Sequence, residues 1–273
     1  MKIRKPAVAG MFYSNDSKQL KNDVQKYLSE AKTVEEFPSI AGIISPHAGY
    51  VFSGPIAASG FKAISHLKPK NIVVLAPSHR EYFNGFSVYN GEYYETPLDK
   101  LKVSMELLEK INENQFVQLS DIGHHSEHAL EVQLPFLQEI YSHEFEIVPI
   151  IIGDVHVDLL DSLAETLFEL SKNEDFLIIA SSDLSHFHSY DLAQQIDNEF
   201  LDFVKAYNLE QIGEGFMDNT LEACGITCIY TLMKYASLKG SAKCEILDYR
   251  NSGDTAGDKF RVVGYAAGVI YNK

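Results

Sequence analysis

The chain is poor in cysteine and in positive charge, and it has no long apolar run. Each shortage excludes something. Three cysteines in 273 residues cannot all pair, and Cys224 and Cys228 stand four apart in a stretch that reads as one helix, so a disulfide framework is not expected. Free thiols point to a reducing compartment. Lys and Arg number 23 against 38 Asp and Glu, a formal net charge of −15, and the cations are scattered. Such a chain repels a phosphate backbone and an anionic bilayer, so neither nucleic acid nor membrane is an expected partner. The N-terminus MKIRKPAVAGMFYSND starts basic but reaches Tyr13, Ser14 and Asn15 before any run long enough for a signal peptide, and no stretch approaches a membrane span. The expectation is a cytoplasmic globular protein. Repeats and low-complexity linkers are missing too, which favours one domain over residues 1–273. An apolar content of 45% is enough to give it a large core.

Short runs rich in Ile and Val, at 40–45, 71–76, 146–152, 176–181, 245–249 and 262–270, alternate with stretches of helical period. The helical stretches are 18–31, 55–66, 103–112, 135–142, 157–171, 191–207 and 221–237. This alternation predicts an α/β fold, with a central, mostly parallel sheet. Runs such as IVVLA and FLIIA are apolar at consecutive positions, which requires burial on both faces and therefore helices above and below. The aromatic segment 85–95 reads as an antiparallel excursion. Pro135 either opens a helix or kinks one begun near Glu127.

Ten histidines are present, and their placement is informative. Three apolar runs end in short loops that carry one: IAGIIS leads to His47, IVVLA to His79 and FLIIAS to Asp183 and His186. In open α/β sheets ligands bind beyond the carboxyl ends of the strands, so residues following different strands can converge there. Imidazole is both a metal ligand and an acid/base near neutral pH. For a single histidine, a surface or hydrogen-bonded role is the commoner fate. Three at equivalent positions shift that balance towards a shared site.

A further cluster runs GHHSEHALE from Gly123 to Glu131. On a helix Glu127 and Glu131 would share one face with His128 on the flank, and Ser126 would cap a solvated start. A functional cluster is the alternative. Cys224 follows a polar pair and precedes a helical pattern, where the first turn lowers a thiol pKa; Gly225 beside it would admit another backbone. Cys228 and Cys244 read as buried structural thiols, and His66, His143, His156 and His188 as surface or structural histidines. Tyr50, Phe52, Arg80, Tyr82 and Phe187 neighbour the motifs, with ordinary packing the simpler role for the aromatics.

The ordered series PHAGYVFSG, APSHR, EHALEVQLPF, SSDLSHF, ACG and NSGD followed by VGYAAG resembles the motifs of the Memo-like family over essentially the whole chain. In prokaryotes this family is the B protein of the AmmeMemoRadiSam set, beside an AMMECR-type and a radical-SAM protein, so those two are the partners the resemblance implies. The family is structurally similar to class III extradiol ring-cleavage dioxygenases, which use non-haem Fe(II). By that resemblance His47 and His79 match the iron-ligating histidines and Cys224 the third ligand. His186 matches an acid/base beside the metal, Asp183 belongs to its motif, and His128 matches a second pocket histidine. Where the dioxygenases place a carboxylate this chain has Cys224, a softer ligand that shifts preference towards copper or zinc while leaving iron accessible. Ring cleavage therefore does not transfer with the fold.

Three functions compete. The first is a metal-dependent redox protein acting on a small molecule or an oxygen species, with His47, His79 and Cys224 on one metal and His186 moving protons. The second is a non-catalytic module that takes a peptide or phosphorylated ligand in the same crevice, as suggested for animal members; a charge of −15 opposes it except at a local spot near Arg80. The third is a subunit serving a radical-SAM partner, since this chain lacks a CxxxCxxC cluster of its own.

Overall fold

In the computed structural model, which describes residues 1–32 and 36–273, the chain opens with β1 (Ile3–Arg4) and α1 (Ser17–Glu30), whose start is capped by the Asp16 carboxylate on the Gln19 N–H. The strand β2 (Ile40–Ser45) ends at Pro46, which has no N–H for a ladder, and α2 (Tyr50–Ile64) follows. Next come β3 (Asn71–Pro77), β4 (Phe86–Tyr89), β5 (Tyr93–Glu95), β6 (Lys100–Lys102), α3 (Met105–Ile111) and β7 (Val117–Ser120). A single 3₁₀ turn over Glu131–Gln133 runs into α4 (Leu134–Ile140), then β8 (Glu146–Ile152), α5 (Val157–Ser171), β9 (Phe176–Ser181) and β10 (Asp183–His188). The chain closes with α6 (Tyr190–Lys205), α7 (Leu209–Met217), α8 (Ile226–Lys239), β11 (Ala242–Asn251), α9 (Ser252–Ala256) and β12 (Val262–Asn272).

The main sheet has the order β10-β12-β2-β9-β3-β8-β4-β7, with β11 also on β12. Its centre, β2-β9-β3-β8, is parallel throughout, and every residue of β3 and β9 is buried, as expected for strands covered on both faces. Antiparallel pairing is confined to the margins, where β12 meets β2, β10 and β11 and where β4 meets β8. The sheet is therefore mixed, with a parallel core. A second, three-stranded sheet joins β1, β5 and β6. Helices α1, α2 and α4 pack together on one side, and α5, α7 and α8 on the other. The buried apolar side chains form one large cluster with a small satellite around Ile56, Tyr265 and Ala267. Within it Phe61 and Phe136 stack at 4.9 Å, and full burial of such rings contributes about 1.5–3 kcal/mol each. No described helix is long and apolar enough to cross a membrane.

Several expectations need correction. The segment 85–95 does pair antiparallel, but its two strands go to different sheets, β4 against β8 in the main one and β5 against β6 in the small one. Residues 127–130 are not helical, and α4 begins only at Leu134, with Pro135 in its first turn where its missing N–H costs nothing. Pro55 lies inside α2 instead of opening it. The helix expected over 221–237 begins at Ile226, and α7, unexpected from the sequence, precedes it. Cys224 and Cys228 thus do not share a helix, and all three cysteines are free.

Candidate metal centre

Strand β9 lies between β2 and β3, all three parallel, so the residues just past β2 and β3 flank the end of β9. His47 follows β2 by two residues and His79 follows β3 by two. His128 enters from the irregular segment before the 3₁₀ turn. One ring nitrogen from each of these three histidines lies within 4.8 Å of the other two. Their ring centroids are 5.1 Å (His47 to His79), 5.4 Å (His47 to His128) and 4.8 Å (His79 to His128) apart. His47 is buried, His128 partly buried and His79 open to solvent, so the trio forms the floor of a crevice with one accessible side.

Hydrogen bonds decide which nitrogens are free. The Ser181 hydroxyl donates to the Ala129 carbonyl at 2.7 Å and receives the Gln133 amide at 2.8 Å. With its own proton spent, Ser181 Oγ can only accept from His47 Nδ1, 2.9 Å away. His47 therefore carries its proton on Nδ1 and presents a lone pair at Nε2. Burial, with His79 and His128 close by, holds His47 well below the ordinary histidine range, so the ring stays neutral. His79 Nδ1 lies 3.0 Å from Glu127 Oε1, a carboxylate that accepts its proton and again frees Nε2. His128 Nδ1 lies 3.0 Å from the same oxygen but out of line for a hydrogen bond, a buried polar atom with no partner.

Glu127 is the hub of this wall. It is 2% exposed and also accepts the backbone N–H of His79 at 2.6 Å, of His128 at 2.9 Å and of Ala129 at 2.9 Å. Burial opposes its charge, but contact with His128 and His79 and with these N–H groups prevails, and its carboxyl sits well below the usual range. Its loop is pinned from far away in sequence. Arg4 donates to the carbonyls of Glu127 at 2.7 Å and His124 at 3.0 Å and pairs with the buried Glu131. Glu131 further accepts from Tyr13 and from the N–H groups of Ala7 and Val8. Neither glutamate is on a solvated helix face. His124 is structural as well, buried between the Tyr94 hydroxyl at 2.6 Å and the Ser87 carbonyl at 3.1 Å, with burial pushing its pKa down to about 3.

The other wall carries Cys224, Asp183 and His186. Past Ser181 the chain does not form a loop: Ser182 donates to the Ser45 carbonyl at 2.9 Å, and β10 pairs with β12 at 262–265, beyond the stretch 268–271 that β2 uses. Strand β10 thus occupies the ledge that β2 vacates at Pro46, and His186 is a strand residue. Asp183, 4% exposed, accepts the His47 N–H at 2.7 Å. Burial raises its carboxyl to about 7, against the opposing pull of that N–H. His186 is lowered by burial, and His79 nearby adds to the effect. Cys224 Sγ stands 3.0 Å from His47 Nε2 and 3.1 Å from the Asp183 N–H. Because Cys224 precedes α8 the helix start does not lower its thiol; burial, with Asp183 beside it, raises it well above the ordinary value. Gly225 is required here, since a Cβ would meet the Ser181 carbonyl oxygen at 2.1 Å.

The structure thus brings His47, His79 and His128 together and leaves Cys224 at the His47 edge of that trio. Two donors at about 2.0–2.3 Å from one ion, between a right angle and the tetrahedral angle, stand about 3–3.6 Å apart, so the contact between Cys224 and His47 is compatible with shared ligation. Imidazoles with fixed Nδ1 partners, as on His47 and His79, suit iron, copper or zinc, and a carboxylate behind a ligating histidine is the usual outer support. A cleft of 280 Å³ lined by Pro77, Ser78, Asp154, Leu221, Cys224 and Thr227 opens beside the site. A larger one, 710 Å³, lies where β8 begins, at the opposite strand ends, away from this chemistry. Sequence reading undervalued Glu127 and missed Ser181, Gln133 and Arg4. The EHALEVQ motif held three of the supporting groups, but only the fold shows what they touch.

A sequence profile of Memo-like proteins matches residues 4–269. A MEMO1 family protein of Nitrosopumilus maritimus is 33% identical over 270 residues, covering 97% of this chain and 98% of the relative. Another, from Aquifex aeolicus, is 35% identical over 271 residues, covering 99% and 100%. The crystal structure of an uncharacterized protein from Escherichia coli K12 matches with a TM-score of 0.59 at 14% identity, over 85% of this chain and 100% of that one, a likeness of fold alone. The profile spans the chain from β1 into β12, through both walls of the histidine crevice, and this chain belongs to the Memo-like protein family.

Proposed function

We propose that the crevice holds one metal ion among His47, His79 and His128, with Cys224 in reach as a further donor, and that the protein carries out redox chemistry there on a small molecule or an oxygen species. The observation that carries this reading is the approach of three histidine nitrogens to within 4.8 Å of one another, with the rings of His47 and His79 each fixed by a hydrogen bond at Nδ1. Iron is the favoured ion by likeness to the extradiol dioxygenases, and when bound it would supply Lewis acidity and one-electron chemistry. The chain's own groups do the rest. Glu127 orients His79 and fixes its tautomer, Ser181 does the same for His47, and Phe12 shields the His128 ring at 4.7 Å. His186 is kept neutral by burial and so is ready to accept a proton from a ligand at the mouth. Asp183 is a positioning residue that anchors the His47 backbone.

Elemental analysis of anaerobically purified protein tests the reading. About one iron, copper or zinc per chain is expected in the wild type, with near-complete loss in His47→Ala and His79→Ala. Comparison of His128→Ala with Cys224→Ala then ranks the remaining donors. A wild type without stoichiometric metal, or equal metal in His47→Ala, would overturn the proposal.

A further inference from the structure

We infer that Phe187 and Arg261 form a recognition subsite at the crevice mouth for a small anion with a planar apolar body, an aromatic carboxylate being the simplest case. The inference rests on the crevice being the ligand site, as proposed above. In a regular strand successive side chains point to opposite faces, so His186 and Phe187 should diverge. Instead their rings adjoin, with centroids 5.6 Å apart. The pairing of β10 with β12 shifts register on both sides of His186, and Phe187 has φ 65°, a left-handed conformation that a bulky residue rarely adopts. This backbone brings the Phe187 ring round beside His186, three residues along β10 from Asp183, which holds the His47 backbone at the crevice.

Packing does not account for the strain, because the Phe187 side chain is left 60% exposed. Strained, exposed aromatics beside a crevice are of the kind that serve a ligand. Arg261 lies over that ring, its guanidinium carbon 5.0 Å from the centroid, and no carboxylate among the described residues pairs with it. Two residues earlier Lys259 lies over Tyr190 at 4.2 Å, again without a carboxylate partner among the described residues. Of the acids on these segments, Glu222 is paired with His188 at 2.8 Å, Asp254 accepts the Tyr190 hydroxyl at 2.7 Å and Asp258 accepts the Phe260 N–H at 2.9 Å. Arg261 is thus a guanidinium without a carboxylate partner among the described residues, left open to an anionic group. The ring supplies a flat apolar surface and the guanidinium a fork that matches a carboxylate.

Calorimetric titration of the metal-loaded full chain with benzoate, benzamide and acetate tests the subsite. Benzoate is expected to bind at least tenfold more tightly than benzamide, which lacks the charge, and than acetate, which lacks the ring. Arg261→Gln and Phe187→Gly should each weaken benzoate at least tenfold, and Lys18→Gln, a remote surface cation, should leave it unchanged. Phe187→Gly should also hold or raise the thermal midpoint, because glycine accepts the left-handed backbone; a purely structural ring would lower it. Absence of benzoate binding, binding unaltered in both variants, or a lowered midpoint with benzoate binding intact would overturn the inference. Metal content measured on the same preparations separates the two claims. Full metal with no benzoate binding removes only the subsite, and Arg261-dependent binding in protein that takes up no metal supports the subsite and removes only the metal.

Discussion

Glu127 and Asp183 are both buried carboxylates beside the three histidines, yet their surroundings drive them in opposite directions. Glu127 receives three backbone N–H groups and His79 Nδ1, and its charge is held firmly. Asp183 receives the His47 N–H and faces the Cys224 thiol, and burial lifts its carboxyl to about 7. The difference teaches that burial alone neutralises an acid, and that a ring of ordered donors is what keeps it charged. It also divides the crevice into a wall built on a fixed anion and a wall held by neutral contacts. The charged wall extends back through Arg4 and Glu131 to the N-terminal strand.

Removing the far support of the charged wall should have the largest effect. Arg4→Met leaves Glu131 fully buried without its counter-charge and releases the carbonyls of His124 and Glu127. Loss of one partner of a buried pair costs about 3–5 kcal/mol, to be read by urea unfolding with metal content measured in parallel. A cost below about 1 kcal/mol would mean that the Glu127 loop does not depend on this clamp.

The pH dependence of stability should show the two carboxylates with opposite sign. Asp183 has a raised folded pKa, so the stability linked to its proton is present below its ordinary value of 3.8 and is lost as pH rises through about 7. Glu127 has a depressed one, so its contribution is present above 4.5 and is lost as pH falls. Asp183→Asn keeps an oxygen for the His47 N–H, removes the alkaline loss, and should be more stable than wild type at pH 8, on the order of a few kcal/mol. Equal slopes for the two proteins between pH 4 and 8 would erase the contrast. Glu127→Gln should instead weaken metal binding about 10–100-fold at pH 7, as loss of the support behind ligating histidines does. Competition against a chelator of known affinity gives that ratio.

How far all this could be read from sequence follows the same division. His47 and His79 were legible because each directly follows an apolar run, and adjacency of parallel strands then brings them together. His186 was legible as a neighbour of the site but not as a strand residue, because β10 exists only through the ledge of β12 left open by β2. The parallel centre of the sheet was legible from its apolar runs, whereas β1, β6 and β7 are too short and mixed to declare themselves. The spacing of Glu127 and Glu131 looked helical, but the Glu131 carboxylate meets Arg4, Ala7, Val8 and Tyr13, more than a hundred residues away, and the Glu127 carboxylate reaches His79 across 48 residues. No local pattern encodes such contacts. Cys224 was misplaced in a helix for a related reason: Gly225 is fixed by its approach to the Ser181 carbonyl oxygen, and α8 can begin only after it.

The neutral wall should respond least, and Ser182→Ala measures it. The Ser182 hydroxyl, 1% exposed, accepts the Gly225 N–H at 3.0 Å and donates to the Asp183 carbonyl at 2.8 Å. That carbonyl keeps a second donor in the Cys224 N–H at 3.2 Å, so only the Gly225 N–H is orphaned. One unsatisfied neutral group costs about 1 kcal/mol or slightly more, well under the loss expected for Arg4→Met. Metal affinity should hardly change, because neither Ser181 nor Glu127, which fix the rings of His47 and His79, touches the removed oxygen. A loss as large as that of Arg4→Met, or a tenfold weaker metal complex, would show that the neutral wall carries as much of the site as the charged one, and the distinction between the two carboxylates would lose its structural meaning.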